Sequence, residues 1–72
     1  MNISEQTLWA RDTLAKAPKS QKGLYRSSFQ NCIRADVEEG RISHEEAKMF
    51  LMAAGCYGTR GKALLKELER AE

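Results

Sequence analysis

Seventy-two residues with twelve Lys and Arg against ten Asp and Glu, a net charge of +2, leave room for one small domain over residues 1–72. They lack the strongly basic balance with which electrostatics alone holds a protein on nucleic acid. A chain this short buries only about 60% of its unfolded surface, so oligomerisation is the expected supplement to a thin core. Two cysteines, Cys32 and Cys56, the polar stretch after Met1, and no apolar run near the roughly 18 residues of a membrane span point to a cytoplasmic protein without disulfides.

The single proline, Pro18, and the glycines Gly40 and Gly55 divide the chain into four segments, each with helical period. The first, from about Ser4 to Ala17, has Ser4 as its cap and a core stripe of Ile3, Thr7, Ala10, Leu14 and Ala17. Leu8 and Trp9 fall off that stripe. The indole is expected as a lid over a small core or else as an anchor in a partner contact.

The second segment follows Ser20 as cap, carries Tyr25, Phe29, Cys32, Ile33 and Val37 on its apolar face, and closes at Gly40 as a C′ glycine. Gly23 weakens its first turn by up to about 1 kcal/mol, so the helix is expected to begin near Leu24. The third segment has the clearest start: Ser43 with Glu46 three residues on forms a capping box, and Glu45 complements the helix dipole. Ala47, Phe50, Leu51 and Ala54 make its stripe, while Met49, Met52 and Ala53 carry apolar character around the other side. Such a helix is expected to be central in the fold or buried in an interface.

Gly55 is read as the C′ residue of that helix and Thr59 as the cap of the fourth, with Gly58 and Gly61 keeping the connection tight. In the fourth segment Leu64, Leu65, Leu68 and Ala71 face inward; Lys66, Glu67, Glu69 and Arg70 face outward, with Lys66 and Glu69 as a weak pair. No segment alternates with period two. The expected fold is all-α, a compact bundle of three to four short helices.

Catalytic readings find little support. The single histidine, His44, sits in the first turn of the third segment, with no second His or Cys at metal-ligand spacing. Cys56, beside a helix terminus in a basic loop, is in a setting that lowers a thiol pKa, but no residue supplies the orienting third group of a nucleophilic site. The pairs Glu38–Glu39 and Glu45–Glu46 are adjacent along helices and diverge. No enzyme activity, metal, cofactor or small-molecule substrate is expected.

The stretch "GCYGTRGK", Gly55 to Lys62, invites a phosphate-binding reading. It fails the Walker A pattern: the first glycine position is Cys56 and the Ser/Thr position is Ala63. "GTRG" resembles the GxxG loop of KH domains, where amides at a helix junction clamp a nucleic-acid backbone, but such a domain needs a sheet for which no residues remain. The helix-hairpin-helix pattern wants a G-x-G turn, and these glycines are three apart. A helix-turn-helix of the third and fourth segments would offer Tyr57, Thr59, Arg60 and Lys62 to a groove, yet Gly61 stands where an inward β-branched residue belongs. No family follows. The nucleic-acid alternative therefore rests on Thr59, Arg60 and Lys62 with the acid-free run "KAPKSQKGLYR", which supplies Lys19, Lys22 and Arg26.

The leading expectation is a small regulatory or inhibitory protein that binds another protein, or itself, through an apolar helical surface. A transcription regulator or a defence enzyme is the kind of target, in the manner of small phage or mobile-element accessory proteins. Leu8, Trp9, Met49, Met52 and Tyr57 exceed what the core stripes need, and methionine and aromatics suit adaptable contacts.

Overall fold

Among the described residues the chain forms four α-helices: α1 (Glu5–Lys16), α2 (Lys22–Glu38), α3 (His44–Ala53) and α4 (Thr59–Ala71), with a 3₁₀ turn over Lys19–Gln21 before α2. The computed structural model describes the backbone of residues 3–71 and the side chains of residues 3–68, and no strand occurs within them. The inward Ala71, the outward Glu69 and Arg70, and the Lys66–Glu69 pair lie outside the described side chains.

The helix ends follow from local chemistry. Ser4 caps α1 by accepting the Thr7 N–H on its Oγ at 3.2 Å. Ser43 and Glu46 form the full capping box of α3, with both bonds at 3.1 Å. Gly40 (φ +77°) and Gly55 (φ +72°) occupy the left-handed region that favours glycine. At each, the glycine N–H bonds a carbonyl three residues back and the next N–H one five back: Gly40 to Val37 and Arg41 to Asp36, Gly55 to Met52 and Cys56 to Leu51. Both are Schellman closures.

Two starts differ from the sequence reading. Ser20 does not cap α2. Pro18 opens the 3₁₀ turn, whose Gln21 N–H returns to the Pro18 carbonyl at 2.9 Å, so Ser20 is inside that turn and Gln21 precedes the helix without a side-chain cap. The helix then begins at Lys22 rather than near Leu24. Gly23 is accommodated because the turn in front has already fixed the backbone. Thr59 is likewise the first residue of α4 and not its cap. The Lys62 N–H reaches the Gly58 carbonyl at 3.0 Å, which places Gly58 at the cap position.

Phe29 and Ile33 of α2 sit at the centre of the core. Around them pack Ala10 and Leu14 of α1, Ala47 and Leu51 of α3, and Leu64, Leu65 and Leu68 of α4, with Ile42 and Cys56 entering from the connections. Full burial of a side chain such as Phe29 or Leu51 contributes about 1.5–3 kcal/mol, so these few residues carry much of the stability of so short a chain. The radius of gyration, 11.4 Å, matches the roughly 11 Å of a compact chain this long.

The central helix is α2, not α3. Its backbone lies close to each of the other three, whereas the backbone of α3 approaches only α2 and α4. Length decides this: seventeen residues against ten give α2 about 25 Å of axis and α3 about 15 Å.

Candidate functional site

The five residues expected to contact a partner come from three places in the fold: Leu8 and Trp9 from α1, Met49 and Met52 from α3, and Tyr57 from the connection before α4. Trp9 is 62% exposed on the side of α1 away from the core, so it is not a lid. Its place on the helix explains this, since Thr7, Ala10 and Leu14 already fill the inward stripe. Leu8 is half-buried. Tyr57 is half-buried and packs against the core. Met49 and Met52 are 64% and 56% exposed on the outer side of α3, where Ala53 is also exposed. Spacings of three and four residues put these three side by side. Leu24 of α2, which the periodicity did not single out, is 71% exposed.

The outer side of α3 continues into a groove. The backbones of α1 and α3 do not approach one another; both lie against α2. Between them is an open channel lined by Leu14 and Ala15 from α1 and by Phe50, Ala53 and Ala54 from α3. Ala53 belongs to both the exposed face and the channel wall. Arg11, Lys22 and Arg26 stand along the channel with one acid, Asp12, which Arg11 pairs at 3.4 Å. Lys22 reaches across to donate to the Leu14 carbonyl at 3.3 Å, placing a cation at the C-terminal end of α1, where the dipole favours it.

The Gly55–Lys62 connection is held from both sides. Gln30 of α2 donates to the Cys56 carbonyl at 3.0 Å, and Arg60 donates to the Ser27 hydroxyl at 3.2 Å. A Cβ on Gly61 would lie 2.7 Å from that same Cys56 carbonyl oxygen. Here the absence of a side chain is required by close approach, which is also why no β-branched residue occupies this buried position.

The residues of the nucleic-acid alternative are dispersed, with Lys22 in the α1–α3 groove and others in two further clefts. Arg26, Thr59 and Arg60 line a cleft between α2 and the loop. Lys62 turns the other way, into a cleft between α3 and α4 with Lys48, Lys66, Glu45 and His44 around Tyr57. Lys48 and Lys62 stand 5.8 and 6.0 Å from the Tyr57 ring centre, at the outer limit of cation–π attraction. Lys19 is exposed on the 3₁₀ turn. Sequence reasoning missed Lys48 and Lys66. The four-residue spacing of Lys62 and Lys66 was a readable sign of one shared face; nothing periodic ties Lys48 to them.

Cys56 departs from the expectation of a lowered thiol pKa. Burial pushes its thiol up, and the charge of Arg26 offsets only part of that. Its Sγ–H donates to the Ala54 carbonyl at 3.6 Å. Burial also raises the Cys32 thiol, helped by the negative charge of Asp36. Both cysteines are free. Among the described residues no group of three His, Cys, Asp or Glu is placed to hold a metal ion, and no helix is long and apolar enough to cross a membrane.

Comparison with protein families, with curated proteins and with solved structures finds no match to this chain.

Proposed function

We infer that this chain is a small non-catalytic regulator or inhibitor that binds another protein through the outer face of α3 and the α1–α3 groove beside it. One observation carries the reading: Met49 and Met52, each more than half exposed, adjoin Ala53, which is shared with the groove wall. A chain with a thin core leaves large apolar side chains adjacent on a helix at a cost in solubility, and such patches mark contact surfaces. Methionine side chains adapt to a partner's shape. Arg11, Lys22 and Arg26 along the channel favour a partner segment that is apolar on one side and acidic at its edge. A second copy of this chain is the first partner to test, and a homo-oligomer is the form in which the free protein would cover this face.

Light scattering on a size-exclusion column, run on the wild-type chain and on the Met49→Glu/Met52→Glu variant, tests the reading together with capture of partners from the native host. The expected result is an oligomer or a captured protein that the double variant loses while its helical circular dichroism is unchanged. A monomer at every concentration, with capture indifferent to the double variant, would overturn it.

A further inference from the structure

The geometry points to a phosphate-binding site in the α3–α4 cleft around Tyr57, formed by Lys48, Lys62 and Lys66. This inference does not depend on the apolar face of α3.

Three ammonium groups from two helices line one cleft with a single acid, Glu45, for company. Three lysines against one glutamate leave +2, equal to the net charge of the entire chain. Elsewhere, among the described residues, Arg34 pairs Glu67 at 2.8 Å, Arg11 pairs Asp12, and Arg41 pairs Asp36 and Glu39. The α3–α4 cleft thus carries excess positive charge, as does the α1–α3 groove, but only here are all the cations lysines. Converging like charges repel, and an anion that enters removes the repulsion and gains attraction from each.

The two helices set the placement of these lysines. Lys62 and Lys66 lie one helical turn apart on α4, and Lys48 faces them from α3. Tyr57 packs on the core at the base of the connection, and its ring attracts both Lys48 and Lys62. Lysine acts as a point charge with three rotatable donors and binds phosphate in that role. Phosphate oxygens, whether on one multiply charged group or on successive backbone phosphates, can engage all three ammonium groups. The phosphate could be carried by a nucleic-acid strand or by a small free ligand.

The test titrates the full chain, at low salt, with a short single-stranded oligothymidylate, with pyrophosphate and with a glutamate-rich peptide, following backbone amide shifts by NMR. Both phosphate probes are expected to move Tyr57, Lys62 and Lys66, and the glutamate peptide to move them little. With three lysines engaged, log K for the oligonucleotide should fall against log salt with a slope of about −2, and Lys48→Gln/Lys62→Gln should reduce that slope to about −0.7. A strand that binds far more tightly than pyrophosphate assigns the phosphate to nucleic acid; equal affinities assign it to a small ligand. Arg26→Gln/Arg60→Gln removes the same charge from the other cleft and should leave binding within about twofold. Equal loss in the two double variants would overturn the site, as would binding of the glutamate peptide in preference to both phosphates, or no shift with either phosphate probe. Because these lysines are exposed, the variants keep the fold, and Met49→Glu/Met52→Glu tests the docking face separately.

Discussion

The carboxylate of Asp36 accepts the backbone N–H of Ser4 at 3.0 Å, across thirty-two residues of sequence. In α3 the corresponding bond is made within the helix, from the Ser43 N–H to Glu46. Position three of α1 is Thr7, too short for that role. It instead donates its own hydroxyl to Asp36 at 2.8 Å. A carboxylate from α2 thus completes the cap of α1, placing negative charge where the helix dipole favours it.

Asp36 is 1% exposed. Burial alone pushes its carboxyl up, but the bonds from the Ser4 N–H, the Thr7 and Ser4 hydroxyls and Arg41 more than offset that, and its pKa lies below the ordinary carboxylate value. A folded-state pKa below the unfolded one contributes stability that is present above the unfolded value, about pH 4, and is lost as pH falls through the folded one. Urea midpoints should therefore decline as pH is lowered below about 4, and Asp36→Asn should flatten that part of the profile. Asp36→Ala removes the charged acceptor of the Ser4 N–H and the Thr7 hydroxyl and should cost about 2–4 kcal/mol. An Asp36→Ala chain as stable as wild type would show that the cap contributes nothing.

Alanine at two glycines should act in opposite directions. Gly23 has nothing within 4 Å of a new Cβ, and Gly23→Ala should raise stability by about 0.5–1 kcal/mol through helix propensity. Gly61→Ala gains the same propensity but drives a methyl into the Cys56 carbonyl, a backbone atom that cannot rotate away. A net loss of about 1–3 kcal/mol is expected. Thermal melts of the two variants settle the signs.

Removal of the α3 capping box by Ser43→Ala should cost about 1 kcal/mol. Because α3 presents the Met49 and Met52 face, the same variant should raise amide exchange across that helix more than across α2. Uniform exchange changes over both helices would mean that α3 does not open separately.

The raised, buried thiol of Cys56 should resist disulfide-type reagents at neutral pH until the chain unfolds, with Cys32 reacting first because it is only half-buried. Rapid labelling of Cys56 in the native protein would contradict its placement.

Exposure of Met49 and Met52 makes them the described sites most open to peroxide. Oxidation of the free protein should give both sulfoxides without loss of helicity, and a bound partner should protect them. Equal oxidation with and without the partner would place the contact elsewhere.

Most of the fold was legible because helix stripes and stop signals are local. Thr7, Ala10 and Leu14, or Leu64, Leu65 and Leu68, announce themselves by spacing, and Gly40 and Gly55 by their position after an apolar run. Asp36 lies seven residues from Phe29 and three from Ile33, on the inward side of α2, yet its charge kept it off the expected stripe; the Ser4 and Thr7 donors are what make its burial possible. Ile42 and Cys56 enter the core from connections, where no period applies. The candidate surfaces were legible only in pieces. Tyr57 and Lys62 stood out separately, but their convergence with Lys48 depends on how two helices meet across a turn.

That turn sets the geometry of half the molecule. The Cys56 carbonyl and the Gly61 backbone touch across five residues, so the segment between them works as a ruler of fixed length. One residue inserted between Arg60 and Gly61, inside the first turn of α4, would turn the rest of the helix by about 100°, carry Leu64, Leu65 and Leu68 off the core, and part Lys62 from Lys48. Loops of this size usually tolerate added residues; this one should reject even a single glycine.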